Sequence, residues 1–187
     1  KGHLTKEIDA MGGLIARAAD LAAIHIKKLN SSKGKAVQAT RAQADRELYS
    51  NAIQTMIFNQ ENLAVFEAAA SKLIIENNKI KGLVTEKGEK LFSKTLVLTV
   101  GTFLNGVMHT GTKQTKGGRK GDKPSLILAE QLLDLMPRTG RLKTGTPPRI
   151  LKASIDFERL EEQKGDSPRP VFSFISSRDD HPKQVSC

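Results

Sequence analysis

Basic side chains set among glycines are the densest chemical signal in the sequence, above all Lys116-Gly117-Gly118-Arg119-Lys120-Gly121-Asp122. Glycine lets backbone N–H groups come close to an anion, and an arginine beside them can hold a phosphate or carboxylate bidentately. The same residues also make an ordinary surface loop with solvated charge, and composition alone favours that reading. Ser31-Ser32-Lys33-Gly34-Lys35 has the same two readings, and it lacks the spaced Gly-x-x-x-x-Gly-Lys order of a phosphate-binding P-loop. Val97-Leu98-Thr99-Val100-Gly101-Thr102 is a third candidate. An apolar strand ending in Gly-Thr puts a tight turn and a hydroxyl at the carboxyl edge of a sheet, where α/β proteins bind nucleotides. A plain strand stop explains the same hexapeptide about as well.

Other chemistry is sparse. His3, His25, His109 and His181 lie far apart, none with a Cys, Asp or Glu at a metal-ligand spacing, so no metal site is expected. There is no Gly-x-Ser-x-Gly elbow, and Glu161-Glu162 falls on a solvated helix face, which removes the hydrolase readings. The single cysteine, Cys187, allows neither an internal disulfide nor a thiolate metal site and fits a reducing compartment. Thirty Lys+Arg against twenty Asp+Glu give a net charge of +10, which favours polyanionic partners or serves solubility alone. With 4% aromatic residues and no Trp, bases have little to stack on, so charge must carry any RNA contact.

The elements that must position these groups follow from periodicity. The chain has 187 residues, 38% hydrophobic, enough for a core, and no apolar run long enough for a membrane helix. It reads as soluble. Leu4, Ile8 and Met11, then Leu14, Ala18 and Leu21, predict two short helices around Gly12-Gly13. Residues 24–27 alternate as a strand, Ala44, Leu48, Ala52 and Met56 predict a helix over 43–58, and 63–66 reads as a short strand. Strands at 72–76, 80–85 and 90–94, separated by Asn77-Asn78 and by 86–89, predict a β-meander. The continuous apolar run 95–100 suggests a strand buried on both faces.

Residues 110–123 hold five basic residues, four glycines and one acid, predicting a loop or inserted lobe. A helix starts at Pro124 and Ser125 with Ile127, Leu128, Leu132 and Leu135 on one face, and Pro137 stops it. A short helix at 156–163 and a strand at 171–175 complete the pattern. The chain opens on Lys1 in mid-motif and ends on Cys187 after a polar run, as a fragment of a longer protein would.

In order, the motifs are Lys1-Gly2-His3-Leu4 with Asp9-Ala10-Met11-Gly12-Gly13, then Ser32-Lys33-Gly34 running to Ala39-Thr40-Arg41-Ala42-Gln43-Ala44-Asp45-Arg46. Leu98-Thr99-Val100-Gly101-Thr102-Phe103-Leu104 and Gly117-Gly118-Arg119-x-Gly121-Asp122 follow. Gly140-Arg141-Leu142-Lys143-Thr144-Gly145-Thr146-Pro147-Pro148-Arg149 and Pro170-Val171-Phe172-Ser173-Phe174 close the series. Together they resemble the flavin-dependent tRNA uridine 5-carboxymethylaminomethyl modification enzymes, the MnmG or GidA family, over nearly the whole chain.

The resemblance implies an α/β fold: a partial FAD-binding, glutathione-reductase-like three-layer domain with a β-meander over 1–109, and an inserted, nicotinamide-domain-like α+β lobe over 110–187, truncated. It implies a cytoplasmic FAD-binding homodimer, not attached to a membrane, that pairs with the GTPase MnmE. NADH and methylene-tetrahydrofolate would serve to add an aminomethyl or carboxymethylaminomethyl group to C5 of the tRNA wobble uridine. On the family pattern, Lys1, Gly2, Ala70, Val100, Gly101, Thr102 and Ser125 lie on the FAD side, and Arg119, Lys143 and Arg149 are anion or tRNA contacts. The Gly-x-Gly-x-x-Gly fingerprint and the C-terminal helical region of the family are absent, so this piece is not expected to hold FAD tightly or turn over alone. The family's catalytic cysteines lie outside the chain, and Cys187 matches a different one that is not read as a nucleophile. Lys35 stands where relatives usually have proline, and Ala70 where many have valine. Rival readings are another FAD- and folate-dependent flavoprotein of the tRNA methyltransferase type, or a non-catalytic basic RNA-binding module.

Overall fold

Gly12-Gly13 divides the first apolar stripe, as its position predicts. In the computed structural model, which describes residues 2–136 and 138–187, α1 (Gly2–Ala10) and α2 (Ile15–Ala22) flank a turn with Gly12 at φ 86°. A Cβ on Gly13 would collide with Ile8, so the close return of the chain requires glycine there. The chain forms two compact units, residues 1–65 with 148–187, and residues 66–147.

In the first unit α2 leads directly into β1 (Ala23–Leu29), which pairs antiparallel with β2 (Ala39–Ala44). The second strand is absent from the periodicity reading, and it takes Gln43 and Ala44 out of the helix predicted from residue 43. That helix, α3 (Arg46–Phe58), starts where the Asp45 carboxylate accepts from the N–H groups of Glu47 and Leu48 at 2.9 and 3.0 Å. Such an N-cap satisfies donors that the helix itself cannot. Ala16, Ile26 and Phe172 form the buried centre, with Ala19 and Ala42 packed against it.

The later segments of this unit lie along β1 without joining a regular sheet. Asp166 N–H donates to Ile26 O at 3.0 Å and Val185 N–H to Ile24 O at 2.7 Å. A single 3-10 turn, Phe157–Arg159, stands where a helix was predicted at 156–163, and another, Lys152–Ser154, precedes it. The strand predicted at 171–175 does not form, because carboxylates take its N–H groups. Phe172 and Ser173 donate to Asp20, and Phe174 donates to Asp9.

The second unit contains the predicted meander, β3 (Ala70–Glu76), β4 (Lys79–Thr85) and β5 (Lys90–Phe92), in that order. Asn77 and Asn78 turn the first hairpin with φ of 49° and 59°, the left-handed pair that matches strand twist. Across β3 lies α4 (Leu126–Leu135), burying Leu128, Ala129 and Leu132. Ile127 and Leu135 of the predicted stripe are exposed instead. Leu73, Leu128 and Leu132 make the core, ringed by Ala70, Ile75, Ile80, Leu96, Leu98, Val100 and Leu104.

The runs 63–66 and 95–100 belong to no described strand. In the second, Leu96, Leu98 and Val100 turn to the core while Val97 is 85% exposed. The strand alternation is present, but only one face is covered, because no neighbouring strand pairs with it among the described residues. At the start of the predicted loop or lobe, β6 (Val107–Thr110), most of which precedes it, and β7 (Lys113–Lys116) form a hairpin around Gly111 at φ 59°. Its lysines and threonines give it little apolar pattern to read. Pro137, the predicted helix stop, lies outside the described residues. Among them, no helix is long and apolar enough to cross a membrane.

Candidate functional site

Five of the residues assigned to the flavin side gather in the second unit. Val100 and Ala70 both pack at the rim of the Leu73–Leu128–Leu132 core. Beyond Val100 the chain turns at Gly101, φ 58°. Leu104 then bridges Ser125 in parallel. Ser125 N–H donates to Phe103 O at 2.9 Å, and Asn105 N–H donates to Ser125 O at 3.2 Å. The Thr102 hydroxyl donates to Gly118 O at 3.2 Å, which ties the glycine loop to the same turn. Lys1 lies outside the described residues, and Gly2 begins α1 in the other unit, where a Cβ would come within 3.1 Å of Thr40 O.

The glycines here do two different things. Gly106 and Gly118 lie against backbone, and a Cβ on either would strike Thr102 O, so their role is close packing. Gly117, at φ 144°, would meet Asp122 O at 2.9 Å. Gly101 is open, with nothing within 4 Å of the Cβ it lacks. Open space beside the backbone is therefore found at Gly101 and, in the basic loop, at Gly121, but not at 117–118.

Charge at the site is mixed. Arg119 Nε lies 2.6 Å from Asp122 Oδ2, so the guanidinium is already paired, although exposed. Lys143 lies in an exposed stretch of the same unit, while Arg149, also exposed, belongs to the first unit. Ser125 stands at the N-cap of α4, yet its hydroxyl makes no capping bond and the first turn carries no acid. With no side-chain cap and no acid in its first turn, the positive end of that helix dipole can accept negative charge. The arrangement can bind and orient an anion. Among the described residues its one ion pair, Arg119–Asp122, is a surface pair, and no three His, Cys, Asp or Glu side chains gather that could hold a metal.

Two features escaped the sequence reading. Arg141 donates from Nη1 to Leu104 O at 3.1 Å and from Nη2 to Asn105 O at 2.8 Å. In the first unit, Asp20 is wholly buried and accepts from Phe172 N, Ser173 N and His181 Nε2. An aspartate inside the Ala18-Ala19-Asp20-Leu21-Ala22 run was the available clue, since a charge there needs partners. Cys187 is exposed, its Sγ donating to Gln43 Oε1 at 2.8 Å.

Fold and site together define a mixed α/β chain in which a left-handed glycine turn lies beside the meander and the start of α4. Over 100% of its length the chain is similar to solved structures of Aquifex aeolicus GidA. The form I crystal matches at 40% identity with TM-score 0.88, and the form II crystal at 39% with TM-score 0.86. The family model described as glucose inhibited division protein A matches residues 1–187. The chain belongs to the GidA family. It spans 32% of the length of those solved relatives.

Proposed function

We propose that this chain is part of a flavin-dependent tRNA-modifying enzyme, in which its second unit supplies one wall of an FAD site. The observation that carries the reading is the family match over residues 1–187, with 40% identity to a solved GidA along the whole chain. The residues present fit a dinucleotide in part. Gly101 offers an open left-handed turn, and the start of α4 offers backbone donors with no acid in its first turn. These are the groups that the pyrophosphate of such a cofactor requires.

Ala70, Val100, Gly101, Thr102 and Ser125 would hold the cofactor, and the family pattern assigns Lys1 and Gly2 to the same cofactor. FAD, when bound, supplies the redox chemistry of the one-carbon unit. The chain's own residues bind and orient it, and exclude water through the apolar rim at Ala70 and Val100. Arg119, Lys143 and Arg149 serve as anion or tRNA contacts. NADH as reductant, methylene-tetrahydrofolate as one-carbon donor, the GTPase MnmE as partner, a homodimer and a cytoplasmic location complete the proposal. So does the division into an FAD-binding part over 1–109 and an inserted lobe over 110–187.

The test is flavin uptake by the full-length apo-protein, followed by absorbance and by titration with tRNA at several salt concentrations. A yellow protein that binds tRNA supports the reading. A colourless protein whose tRNA affinity falls steeply with salt points to a basic RNA-binding module instead. Arg119→Ala in the same protein should weaken FAD or tRNA binding by about 1–3 kcal/mol, as for other charge-assisted contacts. Unchanged constants for both ligands would remove Arg119 from the site.

A further inference from the structure

We infer that Arg141 is the positioning residue of the 100–105 turn: its guanidinium fork holds the Leu104 and Asn105 carbonyls so that Gly101, Thr102 and Ser125 present one anion-accepting surface. The inference rests on the flavin reading above and assigns a role to a residue that reading leaves out.

Arg141 lies in a stretch, 138–147, that has no regular structure and is exposed throughout. A side chain there would ordinarily be solvated. Instead its two terminal nitrogens reach successive carbonyls at 3.1 and 2.8 Å, 37 and 36 residues away in sequence. One fork can serve two successive carbonyls only if both face the same way, whereas an extended chain alternates them. Asn105 breaks the alternation by adopting a left-handed φ of 45°.

The clamp sits where the turn is otherwise least secured. Phe103 and Asn105, on either side of Leu104, bond the turn to Ser125 through two N–H bonds, which together make the isolated Leu104–Ser125 bridge. Two such bonds do not make a ladder. A cation on the carbonyl side draws the strands of this small junction together and adds positive charge where an anionic ligand is expected. A lysine ammonium is a point charge without the rigid fork and cannot fix both carbonyls in the same geometry.

The experiment measures FAD dissociation constants by flavin fluorescence in full-length apo-protein carrying Arg141→Ala, Arg141→Lys or, as a charge control, Arg138→Ala. Apo-protein melting and the vibronic shape of the bound flavin band are recorded alongside. The expected result is about tenfold weaker binding for both Arg141 variants, an altered band shape at saturating FAD, and wild-type behaviour for Arg138→Ala. Wild-type affinity in either Arg141 variant overturns the clamp. So does a loss that tracks the melting temperature and vanishes where every variant is folded, since that is what a purely structural bond would give. Hydrogen exchange across 102–106 gives a second reading, and unchanged protection there in Arg141→Lys also overturns it. If the wild-type protein takes up no FAD, the flavin reading itself fails and carries the inference down with it, an outcome distinct from any effect confined to the variants.

Discussion

Asp20 and His181 stand 161 residues apart in sequence and meet at 3.3 Å with both side chains fully enclosed. The same carboxylate accepts from Phe172 N at 2.8 Å and Ser173 N at 2.9 Å, so one side chain fixes three points of the returning chain. Asp20→Asn turns one oxygen into a donor facing donors. It should cost the full-length protein about 2–4 kcal/mol, beyond a typical lost hydrogen bond because the group is buried. Urea unfolding monitored by circular dichroism checks this, and an unchanged midpoint would show that the three bonds contribute nothing net.

The two kinds of glycine near the candidate site should respond differently to one methyl group. Gly106→Ala drives a Cβ into the Thr102 carbonyl and should be the more damaging. Gly101→Ala meets open space and suffers only its left-handed backbone, about 1–2 kcal/mol. Thermal melts of the two variants give the order directly. Equal losses would mean that the 101–106 loop relaxes away from the packing described.

Asp45→Ala removes the acceptor for the Glu47 and Leu48 N–H groups. A loss of about 1 kcal/mol is expected, with hydrogen exchange rising first in the opening turn of α3. Protection unchanged at Glu47 and Leu48 would contradict the cap.

At the first hairpin, Asn78→Val puts a β-branched residue at φ 59° and should cost about 1–2 kcal/mol. Asn78→Gly should leave stability unchanged or slightly raised. If Val and Gly variants unfold at the same denaturant concentration, the turn is not the left-handed type described.

Local signals carried most of the helices and the meander into the sequence reading. Gly12-Gly13, Asn77-Asn78 and the apolar spacing of 126–135 act within a few residues, so their meaning does not depend on distant partners. What was not legible depends on such partners. Residues 39–44 become a strand only because β1 lies beside them, and the spacing that continues into Ala44 pointed to a helix instead. Residues 171–175 have strand composition, yet Asp9 and Asp20 take the N–H groups that a strand would donate. Near the candidate site, the turn at Gly101 and the helix start at Ser125 were legible, because each is a local signal. The closure of Gly118 against Thr102 and the reach of Arg141 back to residue 104 were not, because no spacing rule connects positions 16 or 37 residues apart.

The Gln131 side chain donates to Leu73 O at 3.0 Å and accepts from Leu73 N at 2.6 Å, imitating the main chain of an absent neighbour. A helix-borne amide thus seals the outer margin of the meander at its central residue. An incoming strand from another molecule finds no unpaired groups there to zip onto, the hazard that open sheet margins carry. Because the plug is a side chain and not a strand, it ends sheet growth at that point without propagating the pairing any further.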